Sequence, residues 1–356
     1  MVIELLQIKD LRNIESAKIK PSSYLNIITG KNASGKSSLL EAIHLLFLSR
    51  SFRSSRAEHV IKNGKESLQV VAKINLADSI KTLGIERDKR STLIKYAGEK
   101  INSASELASI QPIVLLTPEN HQLILGSPTK RRKLIDWLLF HVEQDYYQHW
   151  KIYYKTLKQR NAILRKRRSI NELSSWDEKL IQTAEAIDQQ RKKIIDQFDS
   201  SFQKELSKYC EYPVTLIYEN GWGEGEFRTM LQSGREKDFA AGYTRKGPHR
   251  SDLLIKTNDQ FAAQVLSRGQ TKLLATALEI TKILLLKQRV DKNVILLVDD
   301  LPAELDSERK ECMIEMLSSV QTQQFITATE KNLLPKDLLE KAKLFHVEHG
   351  HFQEVL

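Results

Sequence analysis

The chain has 356 residues, enough for one large domain or two ordinary ones, and its 41% hydrophobic and 28% charged residues match a soluble globular protein. No apolar stretch is long and uninterrupted enough to span a bilayer, and the start MVIELLQIKD lacks the pattern of a secretory signal. Lys and Arg number 55 against 45 Asp and Glu, a net charge of +10 that points to a polyanionic partner; two distant cysteines, Cys210 and Cys312, speak against a disulfide framework or zinc site and fit a reducing, cytoplasmic compartment.

The segments VIELLQI and YLNIIT read as strands, the second almost continuously apolar and therefore expected to be buried on both faces. The loop GKNASGKSS follows, and KSSLLEAIHLLFL then reads as a core helix, apolar around much of its circumference. SLQVVAKINLA alternates with period two and STLIKYAGEKI reads as a hairpin, so a small antiparallel sheet is expected beside the loop-bearing strand. QPIVLL is a short strand. From about 129 to 210 the periodicity is helical, with Tyr146, Trp150, Tyr153 and Leu157 on one face as helix core and a further helix at Ser175–Trp176–Asp177 capped by Ser174 or Ser175. Alternating strands and helices return in HRSDLLIKT, GQTKLLATALEITKILLLKQ, NVILLV and QFITAT. The expected division is 1–110 and 250–356 as two parts of one α/β core, with a mainly helical lobe at 111–249 between them.

Residues Gly30, Lys31, Asn32, Ala33, Ser34, Gly35, Lys36, Ser37 and Ser38 fit G-x-x-x-x-G-K-[ST], between a buried strand and a helix as the motif requires. Such a loop turns successive N–H groups into one concavity at a helix N-terminus, where Lys36 reaches the β- and γ-phosphates of a nucleotide, Ser37 ligates Mg²⁺ and Ser38 adds a phosphate donor. The strand NVILLV ends in Asp299 and Asp300, a Walker B pattern in which Asp299 holds the Mg²⁺ shell and Asp300 polarises the attacking water. LSRGQ at 266–270 opens a long helix about 25 residues before that strand. There Ser267, Gly269 and Gln270 form a second phosphate-facing surface, which two chains facing head to tail would need and one chain would not.

LSRGQ resembles the signature motif of ABC-type ATPases, and AELD, ending at Asp306, resembles the D-loop of that class. The strand QFITATE offers Thr327 or Thr329 where a transporter subunit carries a switch His. Lys36 and Ser267 lie only about 230 residues apart, without the long coiled coil of SMC and Rad50 heads. With LRN near the start, SFR at 51–53, GSPTKRRKLID at 126–136, LKQRNAIL at 157–164 and GPHRSDL at 247–253, the chain resembles the RecF family along almost its whole length. The resemblance implies an α/β, two-lobed ABC-type ATPase head with an antiparallel β-subdomain, a mainly helical second lobe and no long coiled coil. It further implies an ATP- and Mg²⁺-dependent homodimer that binds gapped DNA or single-strand/double-strand junctions, hydrolyses ATP slowly, and works with RecR and RecO in loading RecA. Two departures stand out: Asp300 where most ABC ATPases carry Glu, and Leu301–Pro302 before the D-loop. Gln111 and Gln122 are both candidates for the Q-loop, and Arg12 is expected near the nucleotide.

Between 130 and 168 twelve Lys and Arg face three acids, which marks Arg131, Arg132, Arg165, Arg167 and Arg168 as candidate DNA contacts. The rival reading is a passive DNA-binding module whose nucleotide is not hydrolysed.

Overall fold

The computed structural model describes residues 1–76, 79–166, 170–300, 306–330 and 335–355. In chain order come β1 (Val2–Leu11), β2 (Ile14–Ile19), β3 (Leu25–Thr29), α1 (Lys36–Leu48), β4 (Ser67–Leu76), β5 (Ser79–Asp88), β6 (Thr92–Tyr96), β7 (Glu99–Lys100), α2 (Ala104–Ile110) and β8 (Ile113–Leu116). The middle of the chain holds α3 (Gln122–Leu125), α4 (Pro128–Val142), α5 (Tyr146–Arg165), α6 (Ser174–Leu206), β9 (Thr215–Glu219), α7 (Phe227–Ser233), α8 (Arg235–Ala241), β10 (Asp252–Thr257), β11 (Gln260–Phe261), α9 (Ala262–Val265) and α10 (Arg268–Val290). The C-terminal part adds β12 (Ile295–Val298), α11 (Ser307–Ser319), β13 (Gln323–Ala328), α12 (Lys336–Glu340), β14 (Lys343–Glu348) and β15 (His351–Val355). Among the described residues no helix is long and apolar enough to cross a membrane.

These elements form two compact units, residues 1–119 with 291–356, and residues 120–290. Both expected boundaries therefore move. β8 hydrogen-bonds to β12 and so belongs to the first unit, which shifts the boundary from 110 to 119. The boundary expected at 249 falls inside the second unit, because β10 pairs antiparallel with β9.

In the first unit, α1 lies between two six-stranded sheets. One has the order β15-β14-β3-β13-β12-β8 and is parallel except for its edge strand β15; the other, β2-β1-β4-β5-β6-β7, is antiparallel. Every residue of β3, β12 and β13 is buried, the pattern of strands covered on both faces. One cluster joins Leu39, Leu40, Ile43 and Phe47 of α1 to Ile8, Val70 and Ile85 of the antiparallel sheet and to Ile28, Leu297 and Phe325 of the parallel one. Eleven of the thirteen α1 residues are buried, so this helix is fixed from all sides.

The second unit packs α4, α5, α6 and α10 with the three-stranded sheet β11-β10-β9. Tyr146, Tyr153 and Leu157 are buried as expected of a core face, while Trp150 is half-buried. The α6 start differs from expectation: it begins at Ser174 with Leu173 as its N-cap and without a side-chain cap, so neither Ser174 nor Ser175 serves as one.

This unit has a polar interior built largely from the segments LKQRNAIL and GPHRSDL. Arg160 is fully buried and donates to Asp177 at 2.8 Å and to Asp238 and Thr244 at 2.7 Å each. Arg191 donates to Asp136 at 2.7 Å, to the Pro248 carbonyl at 2.8 Å and to Ser251 at 2.8 Å. His249 meets the Thr244 carbonyl through Nε2 at 3.0 Å and the Tyr153 hydroxyl through Nδ1 at 2.7 Å. The carbonyl can only accept, so Nε2 carries the proton and the ring is neutral. Burial pushes this imidazole down to about 4. LKQRNAIL and GPHRSDL thus meet through Thr244 in a buried polar network, in which Arg160 Nη2 is the nitrogen left without a partner among the described residues.

Candidate nucleotide site and basic cleft

The chain places GKNASGKSS at the C-terminal end of β3, and Asp299–Asp300 at the same end of β12, with β13 between them in the sheet. That edge of a parallel sheet is where open α/β folds take their ligands. Ser37 Oγ donates to Asp299 Oδ1 at 2.7 Å, and Thr327 on β13 bridges the gap. Its hydroxyl lies 3.1 Å from the same carboxylate oxygen and accepts the Asp300 N–H at 2.7 Å. Thr327 therefore occupies the centre of the site. Asp300 sits in the left-handed region at φ 55°, which Asp tolerates better than branched residues, and lines the cleft with Lys36.

Gly30 is required by close approach: a Cβ there would stand 2.3 Å from the Val347 carbonyl, and its φ is +156°. Lys36 is buried and donates to the carbonyls of Gly30 at 2.6 Å and Lys31 at 3.0 Å. Burial lowers its pKa, while Asp300 and Asp299 act in the opposite direction. The α1 N-terminus has no side-chain cap, so its first N–H groups remain available to an anion. Ser34 Oγ is buried in the loop without a hydrogen-bond partner. The uncapped helix end, the ammonium and the unpaired hydroxyl fit a nucleotide phosphate, and the Ser37–Asp299 pair offers the hydroxyl and carboxylate that Mg²⁺ takes alongside phosphate oxygens.

The cleft in front of this loop has a volume of about 630 Å³ and is lined by Arg12, Asn13, Asn32, Lys36, Ser37 and Asp300, among others. Arg12 lines this cleft, held by a two-pronged pair to the fully buried Glu41 at 2.8 and 2.9 Å and by a bond to the His59 carbonyl. Glu41 also accepts Ser51 Oγ at 2.5 Å. Of the two Q-loop candidates, Gln111 is buried and donates to the Pro112 and Asn293 carbonyls at 3.2 and 2.8 Å. These structural bonds account for its amide. Gln122 belongs to the second unit, at the start of α3.

In that unit Ser267 and Gln270 form a reciprocal capping box at the α10 N-terminus: Ser267 N–H donates to Gln270 Oε1 at 2.9 Å and Gln270 N–H to Ser267 Oγ at 3.3 Å. Ser267 stays exposed and Gly269 is half-buried, so the motif is at once a cap and an accessible surface. Asp306 likewise caps α11 by accepting the Arg309 N–H at 2.9 Å, and pairs with the Arg309 guanidinium. The rest of the expected D-loop, and Leu301–Pro302, lie outside the described residues.

The candidate DNA contacts are redistributed. Arg131 forms a two-pronged pair with Asp252 at 2.8 Å on both prongs and donates to the Gly126 carbonyl at 2.9 Å. Arg132 donates to the Ser251 carbonyl at 2.6 Å and to Thr129. Both are half-buried and tie α4 to the start of β10, so their guanidinia are engaged within the chain. Arg165 is exposed at the end of α5 and donates to the Asn161 carbonyl; Arg167 and Arg168 lie outside the described residues.

A basic cleft that the sequence reading passed over lies in the first unit. It measures about 560 Å³ and is lined by the loop 49–57 and the β5–β6 turn, which bring together Arg50, Arg53, Arg56, Arg87, Lys89 and Arg90. Arg87 donates to the Ser49 carbonyl at 2.6 Å and to Thr92 at 2.9 Å, whereas the other five are exposed. The one acid in its lining, Asp88, accepts bonds from Arg90 N–H, Ser91 N–H and Ser91 Oγ, which hold its carboxyl below the usual range. Ser51 Oγ accepts the N–H groups of Arg53 and Ser54 at 2.9 Å each, so Glu41 anchors the arginine loop from below. Arg53 lines both clefts. The signal was present in SRSFRSSR, where arginines recur every third residue among serines.

Comparison with known proteins gives the family and the fold. Residues 2–353 match the family described as the RecF/RecN/SMC N-terminal domain. The DNA replication and repair protein RecF of Shewanella piezotolerans is 36% identical over 354 residues, covering 98% of each chain. A solved structure described as the recombination mediator protein RecF with ATP in the RecFOR pathway superposes with a TM-score of 0.87 at 28% identity, covering 100% of this chain and 98% of that one. An Smc head bound to the C-terminal winged-helix domain of ScpA reaches a TM-score of 0.61 at 17% identity, covering 100% of this chain and 97% of that one, and shows the shared fold.

Proposed function

Because this chain belongs to the RecF family of RecF/RecN/SMC N-terminal domain proteins, we propose that it is an ATP-gated DNA-binding protein of recombinational repair and replication, with weak, DNA-dependent ATPase activity. The observation that carries the reading is the Ser37–Asp299–Thr327 junction, which joins the phosphate loop to the acidic strand end beside Lys36 and Asp300. Mg²⁺ held there by Ser37 and Asp299 would neutralise phosphate charge. Lys36 and the α1 N-terminus hold the β- and γ-phosphates, and Asp300 polarises the attacking water. Ser267 and Gly269 of a second copy complete the site, giving a symmetric dimer with two shared nucleotides that loosens once the γ-phosphate leaves. DNA phosphates bind the basic cleft of Arg50, Arg53, Arg56, Lys89 and Arg90, a sequence-independent contact suited to gapped duplex. The partners in this reading are RecR and RecO, with RecA downstream, in the cytoplasm.

Sedimentation with and without Mg-ATP, repeated with a gapped duplex, tests the proposal. The expected result is a monomer that dimerises only with ATP and then retains DNA. The variant Ser267→Arg should bind ATP and stay monomeric. A Ser267→Arg protein that dimerises on ATP would refute the shared site. DNA binding indifferent to ATP would favour a passive module.

A further inference from the structure

The phosphate loop is braced from outside by two turns that come from opposite ends of the chain. One is Arg12–Asn13, between β1 and β2; the other is His349–Gly350, between β14 and β15. Asn13 Nδ2 donates to the Ala33 carbonyl at 3.2 Å, and Asn13 Oδ1 accepts Ser38 Oγ at 2.9 Å. The Gly350 N–H donates to the Ser34 carbonyl at 2.7 Å. The two turns also wedge against each other, since a Cβ on Gly350 would stand 2.5 Å from the Asn13 carbonyl.

A phosphate loop binds through its N–H groups, so its carbonyls must face away from the ligand. In a planar trans peptide the carbonyl and the next N–H point in opposite directions. Holding the Ser34 carbonyl outward on Gly350 therefore fixes the Gly35 N–H the other way. Asn13 holds the Ala33 carbonyl outward, while the Ser34 N–H of that peptide closes the loop on the Lys31 carbonyl at 3.2 Å, and Asn13 also orients the Ser38 hydroxyl. Ala33 sits at φ 63°, an arrangement that a free loop would leave readily. We propose that Asn13 and the Gly350 turn are positioning elements of the nucleotide site, so that the C-terminal hairpin β14–β15 sets nucleotide affinity although it carries no nucleotide motif. This inference rests on the nucleotide reading above.

The test compares ATP and ADP affinities by calorimetry, together with melting temperature, for wild type, Lys36→Ala, Asn13→Ala, Gly350→Ala and Gly98→Ala. Gly98 is the control: its φ is +90°, close to the +80° of Gly350, but a Cβ there would meet nothing within 4 Å. Both glycine variants acquire the same left-handed strain, and only Gly350→Ala displaces the brace. Gly350→Ala and Asn13→Ala should weaken both nucleotides about tenfold, the scale of a small misplacement of binding groups, while Gly98→Ala lowers the melting temperature with wild-type affinity. Wild-type affinity in both Asn13→Ala and Gly350→Ala, with binding abolished by Lys36→Ala, would overturn the inference alone. So would affinity that tracks melting temperature across all variants, Gly98→Ala included. A wild-type protein that binds neither nucleotide would overturn the nucleotide reading itself, and the inference with it.

Discussion

Replacing Arg50, Arg53 and Arg56 together with Ala separates the basic cleft from the rest of the surface as the DNA-binding site. Five exposed cations line that cleft, since Arg87 is occupied by Ser49 and Thr92. Each phosphate neutralised contributes about −0.9 to the slope of log affinity against log salt, so five contacts per protomer give a slope of about −4.5 and an affinity loss of about 500-fold between roughly 50 and 200 mM salt. Removing three of the five should reduce the slope to about −1.8, with the largest loss of affinity at low salt. Fluorescence anisotropy of a labelled gapped duplex, titrated with protein and ATP over a salt series, reads the slope directly. Arg131→Ala and Arg132→Ala should leave it unchanged and lower stability instead, because their guanidinia hold Asp252 and the Ser251 carbonyl. A triple variant with the wild-type slope, or a shallower slope in Arg131→Ala, would refute the assignment.

Three further outcomes follow from the geometry. Asp300→Asn should dimerise and hold DNA while ATP turnover falls about 100-fold or more, the usual contribution of a general base; a wild-type rate in a phosphate-release assay would remove Asp300 from that role. Arg160→Met leaves Asp238 without its buried cation, and Asp177 with only the partly exposed Arg235. Breaking a buried pair in this way costs about 3–5 kcal/mol, to be read as a lower urea midpoint for the 120–290 unit with no change in the DNA salt slope. The third outcome concerns pH. His249 titrates at about 4 in the fold against 6.5 unfolded, as does the buried His44, whose Nδ1 donates to the Arg50 carbonyl. Between those values the unfolded chain binds more protons, so stability is complete above about pH 6.5 and declines as pH falls towards 4. At pH 5 the loss is about 2 kcal/mol for each histidine. Denaturant melts from pH 7 to 5 should show this decline, and a profile equally steep in His249→Gln would discount the role of His249.

Local pattern carried much of the reading because periodicity and turn chemistry are local properties. The largely apolar run before Gly30 became β3, the alternation of 67–76 became β4, and LSRGQ opened α10. The motif residues Lys36, Ser37, Asp299 and Asp300 were legible because their chemistry constrains both residue type and spacing. Less legible were strands whose pairing is decided elsewhere. β14 and β15 carry charged and aromatic residues in short runs, and join the sheet, with β15 at its edge, only because β3 offers β14 a partner.

Charge was the least reliable guide. TKRRK reads as a DNA patch because sequence gives the number of cations and not their counterions; Asp252, 121 residues from Arg131, supplies one. SRSFRSSR carries fewer charges in a row, yet the β5–β6 turn sets Lys89 and Arg90 beside it and occupies the Asp88 carboxylate with its own N–H and hydroxyl groups. The sequence alone determined the loop GKNASGKSS between a buried strand and a helix, the acidic end of β12 and the opening of α10 at LSRGQ. Tertiary structure decided which arginines face water, that Thr327 joins the Asp299 carboxylate to the Asp300 backbone, and that a C-terminal turn braces the loop. Those outcomes depend on contacts between residues hundreds of positions apart, and only the folded chain specifies them.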